Sequence, residues 1–203
     1  TISGSKPVLV QVSGIGTTND NTTSYIFSST KSGTISYGGS CSSDNTTASA
    51  GNNTVVLDNM SEGTYGNCTV RVTSNGVASD YLTVSSFTID STKPVLAQVT
   101  AIGTTSDTTP SYSFSSTDNG TILYSGSCTV PDNMTTVVAS DNITITFNTL
   151  ADGTYSNCGI QVRDSASNTS DNLSVSSFTI SGSKPALAQV TPVSTLTNDR
   201  SPN

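Results

Sequence analysis

"LADGTYSNCGIQV", Leu150 to Val162, opens as a turn and closes as a strand. Asp152 and Gly153 are turn formers. From Cys158 onward, Ile160 and Val162 alternate with Gly159 and Gln161, the period of two that lines one face of a half-buried strand. The same pattern stands earlier as "MSEGTYGNCTVRV", Met60 to Val72. Working outward, other blocks recur in the same order. "SYIFSSTKSGTISYGGSCS" (Ser24 to Ser42) returns as "SYSFSSTDNGTILYSGSCT" (Ser111 to Thr129), and "LTVSSFTI" (Leu82 to Ile89) as "LSVSSFTI" (Leu173 to Ile180). "KPVLVQVSGIGTTND" (Lys6 to Asp20) returns at Lys93 to Asp107 with eleven of fifteen positions unchanged, and a looser third copy starts at Lys184.

The copies start 87 and 91 residues apart. That is domain length, well above the ~20–50 residues of a solenoid unit, so each repeat is expected to bury its own core. The blocks alternate in the manner of strands: Val8, Val10 and Val12 with Leu9, Gln11 and Ser13; Ile143, Ile145 and Phe147 with Thr. Gly, Asn, Asp and Ser clusters separate them as turns, with Asp20 and Asp107 placed to bond their own backbone. No segment carries a helical period. The reading is all-β: two tandem antiparallel sandwiches of immunoglobulin type, about seven strands each.

Two resemblances sharpen this. Met60, Gly63 and Tyr65, with Leu150, Gly153 and Tyr155, resemble the L-x-x-G-x-Y corner of fibronectin-III-like and immunoglobulin-like domains, which implies a structural role for the Tyr65 and Tyr155 hydroxyls against nearby backbone. The blocks "TTPSYSFSST", "GTILYSGSC" and "LADGTYSNCGIQVRDSASNTS" resemble the bacterial immunoglobulin-like repeats of long cell-surface and secreted adhesins. That likeness implies a stalk or fibre at the cell surface and nothing about a substrate. One departure is plain: there is no Trp, so the Trp-centred core of antibody domains is missing.

The four cysteines fall as one pair per repeat, Cys41 with Cys68 and Cys128 with Cys158. Three pairings are open in principle, and the one that treats both repeats alike is a bridge inside each domain. Cys41 continues the face of Ile35 and Tyr37, and Cys68 begins the face of Val70 and Val72, so antiparallel neighbours would bring the two together. The C-x-x-C spacing of zinc or redox sites is absent. A bridge of this kind implies an oxidising compartment, outside the cell or in the periplasm.

Composition narrows function. The chain has no His, so Ser-His-Asp and Cys-His pairs cannot be built, and the protein reads as non-catalytic. Fourteen Asp plus Glu against seven Lys plus Arg, a net charge of −7, argues against nucleic acid or anionic membrane as partner. No apolar run is long enough to span a membrane. Calcium is the one cofactor the residues suggest: Asp164, Asn168 and Asp171 in one loop and Asp90 in the linker could supply oxygen ligands.

Domain boundaries are expected at residues 6–92 and 93–183, with 1–5 as the end of a preceding repeat and 184–203 as the first strand of a following one. The short linker Asp90–Pro94, with Pro fixing φ, predicts a semi-rigid rod. The partners this implies are neighbouring copies of the repeat, in cis or as a homopolymer joined by donor strands, with surface glycans as the alternative ligand.

Overall fold

The computed structural model describes residues 4–131 and 135–182. The third copy of the opening stretch, and the donor-strand role it suggested, lie outside the described residues. In the first repeat the strands are β1 (Leu9–Ser13), β2 (Thr17–Thr18), β3 (Ser24–Ser29), β4 (Gly33–Gly38), β5 (Thr47–Ala48), β6 (Gly51–Val56), β7 (Gly63–Tyr65), β8 (Thr69–Ser74), β9 (Val77–Ala78), β10 (Leu82–Thr83) and β11 (Phe87–Ile89). The second repeats them as β12 (Leu96–Thr100), β13 (Thr104–Thr105), β14 (Ser111–Ser116), β15 (Gly120–Ser125), β16 (Thr136–Val137), β17 (Ser140–Thr146), β18 (Gly153–Tyr155), β19 (Gly159–Arg163), β20 (Leu173–Ser174) and β21 (Phe178–Ile180). The described residues hold no helix long and apolar enough to cross a membrane.

Each repeat is an immunoglobulin-like sandwich. One sheet is β1-β3-β6. In the other, β7 and β8 are two halves of one long strand, and β10 and β11 are the two halves of its antiparallel neighbour. The ladder continues across their common break through Val84 N–H to the Cys68 carbonyl at 2.9 Å. β4 and β5 extend this sheet on one side, and β2 joins it on the other, running parallel to β11. The strands are therefore shorter and more broken than unbroken alternation of the blocks suggested.

Two separate cores result. Tyr25, Phe27, Val55, Val70, Val72, Phe87 and Ile89 fill the first, and Tyr112, Phe114, Ile145, Ile160, Val162, Phe178 and Ile180 the second. Asp20 and Asp107 accept the Thr22 and Thr109 amides, each at 2.9 Å, so both act as turn formers. The edge strand β1 presents Leu9 to the core and turns Val8, Val10 and Val12 outward. Its valines are the solvent face.

Gln11 explains why that arrangement holds. Its Oε1 accepts from Tyr25 Oη at 3.2 Å and from the Ser85 amide at 2.9 Å, while its Nε2 donates to Ser85 Oγ at 2.9 Å. One amide side chain thus ties the edge strand of one sheet to the broken strand of the other. Gln98 repeats it with Tyr112 Oη at 3.1 Å and the Ser176 amide at 3.1 Å. Burial raises the Tyr25 hydroxyl to about 12, which keeps it a protonated donor.

Replacing Gln11 with Leu leaves a tyrosine hydroxyl and a backbone N–H without partners at the sandwich edge. The first domain should lose about 2 kcal/mol, read as a lower urea midpoint with an unchanged slope.

Candidate functional site

The features that could do mechanical work are the cross-link, the tyrosine corner and the seam. Cys41 lies just beyond β4 and Cys68 just before β8, and the two are bonded with their Cα atoms 5.2 Å apart; Cys128 and Cys158 repeat this at 5.3 Å. The bond joins neighbouring strands of one sheet. All four cysteines are buried.

Small residues make the approach feasible. Gly39 sits at φ +74°, and a Cβ there would collide with the Asn67 carbonyl; Gly126, at φ +78°, stands in the same relation to Asn157. Asn67 Oδ1 then accepts from the Ser40 amide at 3.2 Å, and Asn157 Oδ1 from Ser127 at 3.3 Å. So "GGSC" needs "GNC" opposite it: the glycine lets the backbones touch, and the asparagine caps the turn that delivers the cysteine. After Cys41 the chain leaves this sheet. Ser42 accepts from the Asp58 amide at 3.0 Å and Asn45 Oδ1 from the Val56 amide at 3.0 Å, before β5 returns to β4. The segment closes the side of the sandwich between β6 and β4.

Three residues before the second cysteine in the same long strand, Tyr65 Oη donates to the Ser61 carbonyl at 2.7 Å, and Tyr155 Oη to Ala151 at 3.0 Å. Both rings stack on core phenylalanines, Tyr65 on Phe87 and Tyr155 on Phe178. The corner thereby fixes the loop that faces the linker.

That linker is held from both sides. Thr92 Oγ1 donates to Glu62 of the first repeat at 2.6 Å, and Asn168 Nδ2 of the second donates to the Asp90 carbonyl at 2.8 Å. Asn168 is buried and further fixed by Asp164, whose carboxylate accepts from its amide and its Nδ2, each at 2.9 Å. Of the four residues suggested for calcium, Asp90, Asp164 and Asn168 meet here. Asp171 does not join them: its side chain is exposed and lies 3.5 Å from Lys93. No three of the described Asp, Glu or Cys residues are arranged to hold a metal ion. The role of Glu62 at the seam was not legible in its turn sequence.

Burial, then the negative charges of Asp164 and Glu62, push the Asp90 carboxyl above the usual carboxylate range, against the Thr92 amide that donates to it. A carboxyl raised in the folded state favours folding below its unfolded value and loses that contribution as pH climbs through the folded one.

No family model matches the sequence. No curated protein matches it. Among solved structures, the D00–D0 domain of Intimin is similar at 11% identity, covering 83% of this chain and 98% of that one, with a TM-score of 0.35. The D0–D1 domain of Intimin is similar at 12% identity, covering 86% and 97%, with a TM-score of 0.28. Overlap this loose carries no argument about function, and the immunoglobulin-like assignment rests on the strand order and pairing above.

Two outcomes follow. Gly39→Ala should cost about 2 kcal/mol and slow formation of the Cys41–Cys68 bond in oxidative refolding, read by thiol titration. Asp90→Asn should raise Tm at pH 7, and the gap from the parent should close as pH falls through the carboxylate range, read by calorimetry.

Proposed function

We propose that this chain is a non-catalytic spacer, a rod segment of an extracellular repetitive adhesin or surface filament. The observation that carries the reading is the parallel pairing of the second strand of each domain with its last. β2, close to where the chain enters, runs parallel to β11, where it leaves. The Thr88 amide bonds to the Gly16 carbonyl at 3.0 Å and the Asp90 amide to Thr18 at 2.9 Å. The second repeat matches this with Thr179 to Gly103 at 3.1 Å and Ser181 to Thr105 at 2.9 Å. Tension applied at the two ends of such a domain runs along both strands, loading the bonds together in shear. An antiparallel pair pulled from one end would open one bond at a time.

Two further features, the disulfides and the linker bonds, support the reading. The disulfides withhold the residues between them from extension. The linker bonds to Glu62 and Asn168 favour a fixed orientation of neighbours. The cross-links fit a protein that works in an oxidising compartment, outside the cell.

Stretching single molecules of the two-domain protein tests this. Under oxidising conditions, each unfolding event should release a length about 100 Å shorter than after reduction, since the paired cysteines are 27 and 30 positions apart and each extended residue spans roughly 3.6 Å. Asn168→Ala should broaden the distribution of inter-domain angles in small-angle scattering and destabilise the second domain by about 1–3 kcal/mol, leaving the unfolding transition of the first in place. Domains that peel open gradually, with no cooperative force peak, contradict the load-bearing role.

A further inference from the structure

Both repeats carry the same surface cleft, where the start of β1 or β12 faces the start of β10 or β20. In the first it is lined by Lys6, Pro7, Val8, Leu9, Asp80, Tyr81 and Leu82, and in the second by their counterparts Lys93, Pro94, Val95, Leu96, Asp171, Asn172 and Leu173. The volumes are about 110 Å³ and about 220 Å³, so the second is the roomier. What sets the first apart is chemistry.

Lys6 pairs with Asp80 across the first cleft. Beside it, Lys31 Nζ donates to the Ser5 carbonyl at 2.6 Å, which places a second ammonium at the same corner. Tyr81 is 61% exposed, and the Arg71 guanidinium lies over its ring at 5.2 Å. Nη1 makes one long bond of 3.5 Å to Tyr81 Oη; Nε is buried with no hydrogen-bond partner among the described residues, so it is the terminal nitrogens that a ligand could reach. Three cations therefore stand against one carboxylate, in a chain whose net charge is −7. At matching positions the second repeat has Asp118 for Lys31, Gln161 for Arg71 and Asn172 for Tyr81, leaving Lys93 against Asp118 and Asp171. The excess of positive charge is reversed there.

We propose that the first cleft binds a carboxylate-bearing saccharide. The face of Tyr81 turned away from Arg71 accepts the C–H face of a pyranose. The flanking donors of Arg71 and Lys31 favour an anionic substituent, and Asp80 can accept a sugar hydroxyl. A flat ring beside a cation fits a sugar better than an extended peptide, because β10, though an edge strand, is only two residues long and gives an added strand little to pair with. The site is independent of the spacer reading: a rod segment can carry it or lack it.

The test is amide chemical-shift mapping of the 203-residue protein with 3′-sialyllactose, lactose and a hexaglutamate peptide as probes. Sialyllactose should move the resonances of Lys6 to Leu9 and Asp80 to Leu82 in saturable fashion, lactose should move them far less, and Lys93 to Leu96 should stay still. Tyr81→Ala and Arg71→Gln should each weaken binding about tenfold while the remaining spectrum is unchanged. Joint Gln161→Arg and Asn172→Tyr substitution should confer shifts on the second cleft. No saturable shift at tens of millimolar sialyllactose overturns the proposal. So do equal shifts with lactose, equal shifts at both parental clefts, or stronger binding of hexaglutamate.

Discussion

Everything in each sandwich is arranged around a covalent bond between two neighbouring strands. A chain with only 33% hydrophobic residues buries a modest core, and it contains no Trp to enlarge it. Closing a loop of this length removes roughly 3–4 kcal/mol of chain entropy from the unfolded state, in the usual polymer treatment. Against the ~5–15 kcal/mol that holds a typical domain together, that is a large fraction. The requirement reaches into the sequence well beyond the cysteines. Gly39 must lack a side chain, Asn67 must cap the approaching turn, and Ser42 to Asn45 must cross to β6 to cover the gap beside the bond.

The amide hub at the other side is a weaker, non-covalent counterpart. Gln11 and Gln98 stand where the edge strand would otherwise leave a backbone N–H of the broken strand facing solvent. Both β1 and β12 also shift register just after their glutamine, so a single side chain has to serve where regular pairing stops. The disulfide locks two strands within one sheet, while the glutamine on one flank and the Ser42–Asn45 segment on the other tie the two sheets together by specific contacts.

Most of this architecture could be read before any coordinates. The repeats, the strand parity of Ile143 to Phe147, the turn aspartates and the cysteine pairing all depend on local periodicity or on the equivalence of two copies, and sequence records both directly. The failures are contacts between residues far apart in the chain. Parity alone could not say that Leu9 faces inward and the three valines outward, because what decides it is the Tyr25 and Ser85 partners of Gln11. It could not part Asp171 from Asp164 and Asn168, because what groups the latter two is the bond of Asn168 to the Asp90 carbonyl, 78 positions upstream. Glu62 looked like one more turn residue until the linker threonine was beside it. The recurrence of glutamine at the same place in three copies was the one available clue to the hub.

The burial of the cross-link has a consequence for how long it lasts. Cys68 is fully enclosed and Cys158 nearly so, at 0% and 3% exposure. Thiol exchange needs an attacking sulfur to reach one of the bonded pair along its axis, and with all four cysteines buried the folded domain restricts that approach. The oxidation state is thus set once, while the chain is still open, and then outlasts later swings in its surroundings. A mature molecule would carry a chemical memory of the compartment in which it folded.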